Sequence, residues 1–180
     1  ALEKNRLEQE VIDMSVTDPL TGLPNRRYLE GRLVEVIEAY SRHDEDFAIA
    51  ILDLDHFKRI NDTYGHVIGD NTLREFAAVL RDCVRVTDIV ARYGGEEFMI
   101  LFPNTSRDAA RQSVERVLNE TRSLKEQDDD QAIAITVSAG LAMGSELAAG
   151  NLSFQSLTAV ADARLFRAKN LGRDQMVWDD

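Results

Sequence analysis

Three acidic residues, in two separate stretches of the chain, have the surroundings expected of a metal-dependent site. Asp53 follows the apolar run 47–52, and Glu96 and Glu97 follow a pair of glycines. An apolar run that ends in a carboxylate is typical of a buried strand, and Gly-Gly between two apolar runs indicates a β-hairpin. Carboxylates that converge repel one another unless a cation neutralises them, and oxygen ligands suit Mg²⁺ or Mn²⁺. Such metals, held against a triphosphate, serve phosphoryl and nucleotidyl transfer.

Two simpler interpretations compete with this one. Glu96 and Glu97 alone fit a solvated acidic turn, although such a turn explains neither the glycine pair nor the aspartate at a strand end. Residues 53–55 open like an EF-hand calcium loop, but that loop then requires an oxygen side chain and a glycine where this sequence has Phe57 and Lys58, which excludes it. Lys58 instead suits a cation that faces a phosphate, and the alternative is an ordinary surface lysine.

The elements that must position these residues follow from hydrophobic periodicity. An apolar run too short for a helix predicts a central strand over 47–53, and the glycine pair predicts a hairpin over 88–102. Residues 56–65 are predicted to form a short helix or loop. Further predicted elements are a helix capped by Asn25, a helix from near Asp70, a helix over 110–121, a strand within 132–143 and a helix that ends before Gly172. The order βαββαβ indicates a ferredoxin-like α+β core, with a central antiparallel sheet flanked by helices.

Composition limits the class of protein. The chain has 180 residues and a formal net charge of −11, which fits one compact domain and argues against a protein that coats nucleic acid or anionic membrane. No apolar run approaches the roughly 20 residues of a membrane span, and no stretch resembles a secretory signal. The single Cys83 suits a reducing cytoplasm. We therefore expect a cytoplasmic domain, which a longer protein could anchor to a membrane through an upstream region.

Residues 1–17 have a different pattern from the rest of the chain. Apolar and charged residues recur over 4–14 at alternating spacings of three and four, as in a coiled coil. We expect this stretch to be the end of a longer signalling helix that follows a sensory domain, with the catalytic domain over 18–180. The alternative is an ordinary N-terminal helix that packs on its own domain.

Five sequence blocks, in order, resemble the GGDEF family, the bacterial diguanylate cyclases. RYGGEEF at 92–98 looks like the signature hairpin of the family, with Glu96 where many members have Asp, a variant that active members also use. The other blocks are DPLTGLPNRR at 18–27, DLDHFKRINDTYGH at 53–66, GD at 69–70 and ADARLFRAKNLGRD at 161–174. The resemblance covers nearly all of the chain after residue 17, and it implies the palm-like core that nucleotidyl cyclases and polymerases share.

The resemblance implies an enzyme that joins two GTP molecules into cyclic di-GMP and releases two pyrophosphates. Two domains face each other as a homodimer, so that the 3′-hydroxyl of each GTP attacks the α-phosphate of the other. Mg²⁺ or Mn²⁺, with two ions expected per active site, would be held by Asp53, the backbone carbonyl of Leu54 and Glu96. Glu97 would lie near the reacting hydroxyl, as base or as a further metal ligand. Lys58 would complete the catalytic side chains.

The same carry-over implies a site for the triphosphate of GTP. Lys58, the backbone near Phe57, Lys169 and Arg173 would line it. A few placed cations, together with Mg²⁺, can hold a polyanion on a chain that is negative overall.

Asn61 and Asp70 match the guanine-reading pair of the family, with His66 alongside. A carboxylate such as Asp70 can accept hydrogen bonds from guanine N1–H and from the 2-amino group, whereas adenine has neither donor. Without the resemblance, Asp70 would be only a helix N-cap.

Arg85 and Asp88 stand just before the hairpin, at the spacing of the inhibitory R-x-x-D site of the family. An arginine can bind phosphate or the Hoogsteen edge of guanine, and an aspartate can accept from its Watson–Crick edge. The plainer alternative is an ion pair at a helix end. Arg116 is a further candidate ligand. The resemblance implies that cyclic di-GMP binds here and inhibits the enzyme.

Two other functions stay open at this point. One is a catalytically silent domain that serves as a receptor for GTP or cyclic di-GMP. The other is a cyclase that acts within a single nucleotide. No signature residue is lost from the chain, which favours the active enzyme, and the guanine pair together with the signature hairpin favours the reaction of two GTP molecules.

Overall fold

The computed structural model describes residues 16–43, 45–128 and 131–180, and at 125–128 and 131–133 the description is of the backbone. The strands are β1 (Ala48–Leu54), β2 (Ile89–Arg92), β3 (Glu97–Phe102), β4 (Lys125–Asp128), β5 (Gln131–Ala134), β6 (Val137–Met143) and β7 (Met176–Val177). The helices are α1 (Arg26–His43), α2 (Phe57–Tyr64), α3 (His66–Cys83), α4 (Arg107–Ser123) and α5 (Phe154–Asn170).

One mixed sheet has the strand order β2-β3-β1-β6-β7, and β4 pairs with β5 in a separate hairpin. β1 is antiparallel to β3 and to β6, and β2 is antiparallel to β3. This arrangement confirms the predicted ferredoxin-like core of an α+β fold. The predicted N-cap of α1 is also present, because the Asn25 side chain accepts the backbone N–H of Tyr28 at 3.1 Å.

β1 is the central strand, and all of its residues are buried. Ala50 and Leu52 belong to a core cluster with α2, α3 and α4, whereas Ile49 and Ile51 belong to a second cluster with α1 and α5. Helices therefore cover both faces of the sheet. This is why the run is apolar throughout rather than alternating.

Two strands depart from the prediction. The stretch 132–143, predicted as one strand, is divided into β5 and β6 at Thr136, whose carbonyl accepts the backbone N–H of Asp55 at 2.9 Å. β7 pairs with β6 in parallel, which makes the sheet mixed rather than antiparallel. β7 has only two residues, Met176 and Val177, which is too short a run to predict a strand from the sequence.

α3 begins at His66 rather than near Asp70, so Asp70 lies in the second turn of the helix. The interpretation of Asp70 as a helix N-cap is therefore wrong. The N-cap is Gly65, whose φ of 87° lies in the left-handed region that glycine favours. The chain reverses at this glycine between α2 and α3.

The predicted coiled coil lies almost wholly outside the described residues. Among the residues that are described, no helix is both long enough and apolar enough to cross a membrane.

α5 lies unusually close to the sheet at Gly140 of β6. A Cβ built on Gly140 would lie 2.0 Å from the carbonyl oxygen of Ala161 and 2.4 Å from the backbone nitrogen of Leu165. Only a residue without a side chain allows the helix backbone to rest here. This contact fixes the height of α5 above β6 and β1, and thereby the position of Lys169 near the end of the helix.

We predict that Gly140→Ala destabilises the fold by about 1–3 kcal/mol, because the methyl group meets backbone atoms that cannot rotate away. The measurement is the free energy of unfolding in urea. Gly150→Ala is the matched control, since a Cβ at Gly150 would meet nothing within 4 Å. Equal stability of the two variants would contradict the close contact.

Candidate active site

The three predicted acids lie at the same end of neighbouring central strands. Asp53 of β1 is the direct partner of Glu97 in β3, and the backbone N–H of Leu54 donates to the carbonyl of Glu96 at 3.3 Å. The tip of the hairpin between β2 and β3 therefore lies beside the end of β1. The structure brings Asp53, Glu96 and Glu97 together, as the sequence predicted.

Burial and mutual repulsion disfavour the charged form of these carboxyl groups. Burial raises the pKa of Asp53, which is 6% exposed, against the opposing effect of the hydrogen bond from Lys169. Burial raises the pKa of Glu96 and of Glu97 as well, and the charge of Asp53 raises both further. Lys169 partly neutralises the cluster, with its Nζ 3.0 Å from Asp53 Oδ1.

The donors at this strand end fit Mg²⁺ or Mn²⁺. All are hard oxygens, and because burial raises the pKa of Asp53 and of Glu96, a positive charge beside them would help to keep them ionised. Within the described ranges, no group of three or more His, Cys, Asp and Glu side chains is arranged to hold a metal by itself. Mg²⁺ is commonly bound through one or two carboxylates together with substrate phosphates, so Asp53 and Glu96 suffice for that mode.

Two of the predicted phosphate ligands lie next to the acids. Lys169 forms the ion pair with Asp53, and Arg173 is close enough for its charge to lower the pKa of Asp53. The backbone N–H of Arg173, a residue with φ of 64°, donates to the carbonyl of Ala168 at 3.0 Å. The turn after α5 thus places a second cation near the first.

The other predicted phosphate ligands lie in the first turn of α2. Lys58 is exposed, and Phe57 is buried with its backbone N–H at the start of the helix. The first N–H groups of a helix have no intrahelical acceptor and favour an anion. His56, with φ of 57°, turns the chain sharply from β1 into this helix.

The predicted guanine readers lie on two helices that pack against each other. Asn61 belongs to α2 and Asp70 to α3, and the Asn61 side chain lies against Gly69, the residue before Asp70. His66, at the start of α3, is exposed. The structure therefore brings Asn61 of α2 against the residue of α3 that precedes Asp70.

Asp55 supports the loop at the end of β1. Its carboxylate accepts hydrogen bonds from the hydroxyls of Thr136 and Ser138, at 2.8 and 2.7 Å, and from the backbone N–H of Asp174 at 3.0 Å. One buried carboxylate thus joins the end of β1, the start of β6 and the turn after α5. The sequence does not reveal these partners, because they are far apart along the chain.

Arg92 holds the hairpin in a way that sequence reasoning missed. Its guanidinium donates to the carbonyl oxygens of Gly94 and Gly95, with Nη2 2.7 Å from the latter, and forms an ion pair with Asp18 at 3.1 Å. Hydrogen bonds from Thr21 and Arg92 outweigh burial and lower the pKa of Asp18. The only hint in the sequence was that one motif block contains Asp18 and another contains Arg92, which carry opposite charges.

Arg26 touches the next residue of the hairpin. Its guanidinium carbon lies 4.7 Å from the centre of the Tyr93 ring and 5.6 Å from the centre of the Phe154 ring, and its Nε is 2.7 Å from Glu30. The segment that leads into α1 therefore contacts the hairpin at two successive residues.

The predicted inhibitory residues also lie together, at the end of α3. Asp88 accepts the backbone N–H of Arg85 at 2.8 Å, and its other carboxylate oxygen is buried with no hydrogen-bond partner in the described part of the chain. Burial raises the pKa of Asp88, against the opposing hydrogen bond from Arg85 and the charges of Arg85 and Arg116. Arg116 also donates to the carbonyl of Cys83 at 3.0 Å. The ion pair between Arg85 and Asp88, the plainer alternative, is absent from the described contacts; instead the backbone N–H of Asp88 donates to the carbonyl of Arg85 at 3.0 Å and closes a turn.

Comparison with known proteins gives consistent matches. Residues 15–175 match the family described as "Diguanylate cyclase, GGDEF domain". Diguanylate cyclase DgcP of Pseudomonas aeruginosa is 43% identical over 90% of this chain and 24% of DgcP. Across DgcP and the curated relatives from Caulobacter vibrioides, Treponema denticola and Vibrio cholerae, this chain spans between 24% and 51% of their length.

Two solved structures have the same fold over almost the whole chain. Diguanylate cyclase SiaD of Pseudomonas aeruginosa, in complex with its activator SiaC, has a TM-score of 0.85 and 37% identity, covering 99% of this chain and 67% of SiaD. The coiled coil and GGDEF domain of DgcB from Caulobacter crescentus, in complex with c-di-GMP, has a TM-score of 0.84 and 30% identity, covering 99% of this chain and 94% of that one.

We predict that Arg92→Gln lowers the free energy of unfolding by about 1–3 kcal/mol, because the change leaves a half-buried Asp18 and two carbonyls without their cationic partner. Urea unfolding measures the loss. Arg42→Gln is the control, since its ion pair with Glu38 is exposed and contributes below about 0.5 kcal/mol. A loss no larger than that of the control would show that Arg92 does not hold the hairpin.

Proposed function

Because this chain belongs to the GGDEF family of diguanylate cyclases, we propose that it binds GTP and condenses two GTP molecules into cyclic di-GMP. The observation that carries the proposal is the strand-end cluster, in which Asp53 lies opposite Glu97 and 3.0 Å from Lys169. Acids and a cation at one site match the needs of a triphosphate and its metal.

The reaction needs two domains. The 3′-oxygen of one GTP forms a bond to the α-phosphorus of the other, the bond from that phosphorus to pyrophosphate breaks, and the hydroxyl loses its proton. The same step in the opposite direction closes the ring. We assign Glu97 to the reacting hydroxyl and Asp53, the Leu54 carbonyl and Glu96 to the metal. Mg²⁺, when bound, polarises the phosphate and neutralises its charge.

Binding of the substrate divides between the two ends of the nucleotide. We assign two groups of residues to the phosphates. Lys169 and Arg173 lie near Asp53, at the end of α5 and in the turn after it. Lys58 and the backbone amide of Phe57 lie at the start of α2. Asn61 and Asp70 are assigned to guanine, with His66 beside them. The cluster would thus hold the phosphates over the strand ends while the helical pair holds the base.

The GGEEF form of the hairpin is part of the proposal. Glu96 stands where many members of the family have Asp, and both side chains supply the same carboxylate. Since Glu96 is half-buried beside Asp53, whose charge raises its pKa, the longer side chain still contributes to the same negative site.

We predict that the protein, tethered as a dimer and supplied with GTP and Mg²⁺, forms cyclic di-GMP that is identified by its mass. Glu97→Gln is expected to lower the rate at least about 100-fold, the usual contribution of a positioned acid or base. Glu35→Gln, on an exposed part of α1, is the control and should act like the wild type.

The main rival is a silent receptor domain. A tethered wild type that binds GTP or cyclic di-GMP but makes no product would overturn the enzyme and establish the receptor. Tethering matters because a single domain supplies half of the reacting pair, so a monomer could fail for that reason alone.

We further propose that the turn at Arg85 and Asp88 binds cyclic di-GMP and inhibits the enzyme. The support is the carboxylate of Asp88, one oxygen of which has no hydrogen-bond partner in the described part of the chain, with Arg85 and Arg116 near enough for their charges to act on it. A carboxylate can accept hydrogen bonds from a guanine once the turn opens to admit it. The site lies at the far end of α3 from the guanine readers, so product and substrate would not compete directly.

Arg85→Ala is predicted to abolish inhibition by added cyclic di-GMP while GTP turnover continues, because the variant loses a product ligand and no substrate ligand. The initial rate is measured at increasing product concentration. Arg42→Ala, at the exposed end of α1, serves as the control and should stay inhibited. Inhibition that persists in Arg85→Ala would show that the product binds elsewhere.

A further inference from the structure

Gly69 of α3 leaves a space that a side chain of the neighbouring helix fills. A Cβ built on Gly69 would lie 1.8 Å from Asn61 Oδ1 and 2.9 Å from Asn61 Cγ. The ring of Phe57 would lie 3.4 Å away, which is ordinary contact. Phe57 and Asn61 are four residues apart on α2, so one face of that helix rests on Gly69.

The two helices around this contact are held at their joint. The backbone N–H of Gly65 donates to the carbonyl of Asn61 at 2.9 Å, and the N–H of Gly69 donates to the carbonyl of Gly65 at 3.2 Å. α2 is also anchored in the core through Phe57 and Ile60. A methyl group at position 69 would therefore displace the end of the Asn61 side chain rather than the helices.

Backbone conformation does not explain a glycine here. Gly69 lies inside α3, buried, and its φ is not among the positive values of the chain. Alanine at such a position favours a helix more than glycine does. What the missing side chain provides is room, and the atom that occupies this room is the amide oxygen of Asn61.

We propose that Gly69 determines specificity for guanine without touching the nucleotide. The space left by its missing side chain is a seat that holds the Asn61 amide against α3, one residue before Asp70. This inference rests on the guanine site proposed above. With its oxygen in the seat, the amide keeps its NH₂ group for the base. Guanine presents acceptors at O6 and N7, whereas adenine places an amino donor where guanine has O6.

The test uses 3′-deoxy-GTP and 3′-deoxy-ATP with Mg²⁺, which lack the attacking hydroxyl and report equilibrium binding without turnover. Gly69→Ala is expected to weaken 3′-deoxy-GTP binding roughly three- to tenfold, as for one lost hydrogen bond, and to leave the adenine analogue unchanged. The preference for guanine over adenine falls by the same factor. The midpoint of thermal unfolding should not fall, since alanine suits the helix.

Two further variants isolate the route through Asn61. Gly31→Ala is the matched control within a helix, because a Cβ there would meet nothing within 4 Å, and it should leave binding unchanged. Asn61→Ala removes the side chain that needs the seat. Gly69→Ala added to Asn61→Ala should then have no further effect on binding, which gives a coupling energy as large as the effect of Gly69→Ala alone.

Three outcomes would overturn the role of Gly69: unchanged guanine binding by Gly69→Ala, loss of the fold in that variant, or an additional loss when it is combined with Asn61→Ala. A different outcome would refute the proposed guanine site rather than the role of Gly69 alone. If the wild type prefers neither analogue, the guanine site is wrong, and the role of Gly69 that rests on it is wrong as well.

Discussion

The antiparallel pairing of β1 with β3, which sets Asp53 opposite Glu97, is the constraint on which the rest of the site depends. Because side chains alternate along a strand, a slip of one residue would turn these acids towards the opposite face. Burial of both faces of β1 opposes such a slip, since each apolar residue of the strand belongs to one of the two core clusters and a slip would bury Asp53 among them. The core therefore specifies which charges meet at its edge.

The proximity of Asp53, Glu96 and Glu97 is electrostatically unfavourable, and residues outside this group of acids hold it in place. Close packing of α5 on Gly140 brings Lys169 to Asp53, and Arg92 holds the hairpin that carries Glu96 and Glu97. Repulsion between like charges that the surrounding fold tolerates is typical of a functional site. It also explains how a chain with a net charge of −11 suits phosphate chemistry, because the cations that matter are placed singly.

Sequence reasoning predicted the elements that hydrophobic pattern specifies. β1, the hairpin and the helices α4 and α5 were all predicted, and so was the convergence of the acids, because strand order follows from βαββαβ. It missed what depends on tertiary contacts. The division at Thr136 reflects its bonds to Asp55, and the ion pair of Arg92 with Asp18 joins residues that no local pattern relates.

Three glycines, Gly69, Gly94 and Gly140, leave space that a neighbouring group occupies. The pair at 94–95 predicted a hairpin, yet neither residue is among the glycines with positive φ, so the turn alone does not require them. A Cβ on Gly94 would lie 2.9 Å from Glu97 Oε2, just as one on Gly69 would overlap Asn61 and one on Gly140 would meet the backbone of α5. At each of these positions a missing side chain leaves room for a part of the candidate site: the acid assigned to the reacting hydroxyl, the amide assigned to guanine, or the helix that carries Lys169. In this fold the placement of charge therefore depends as much on where side chains are absent as on where they are present.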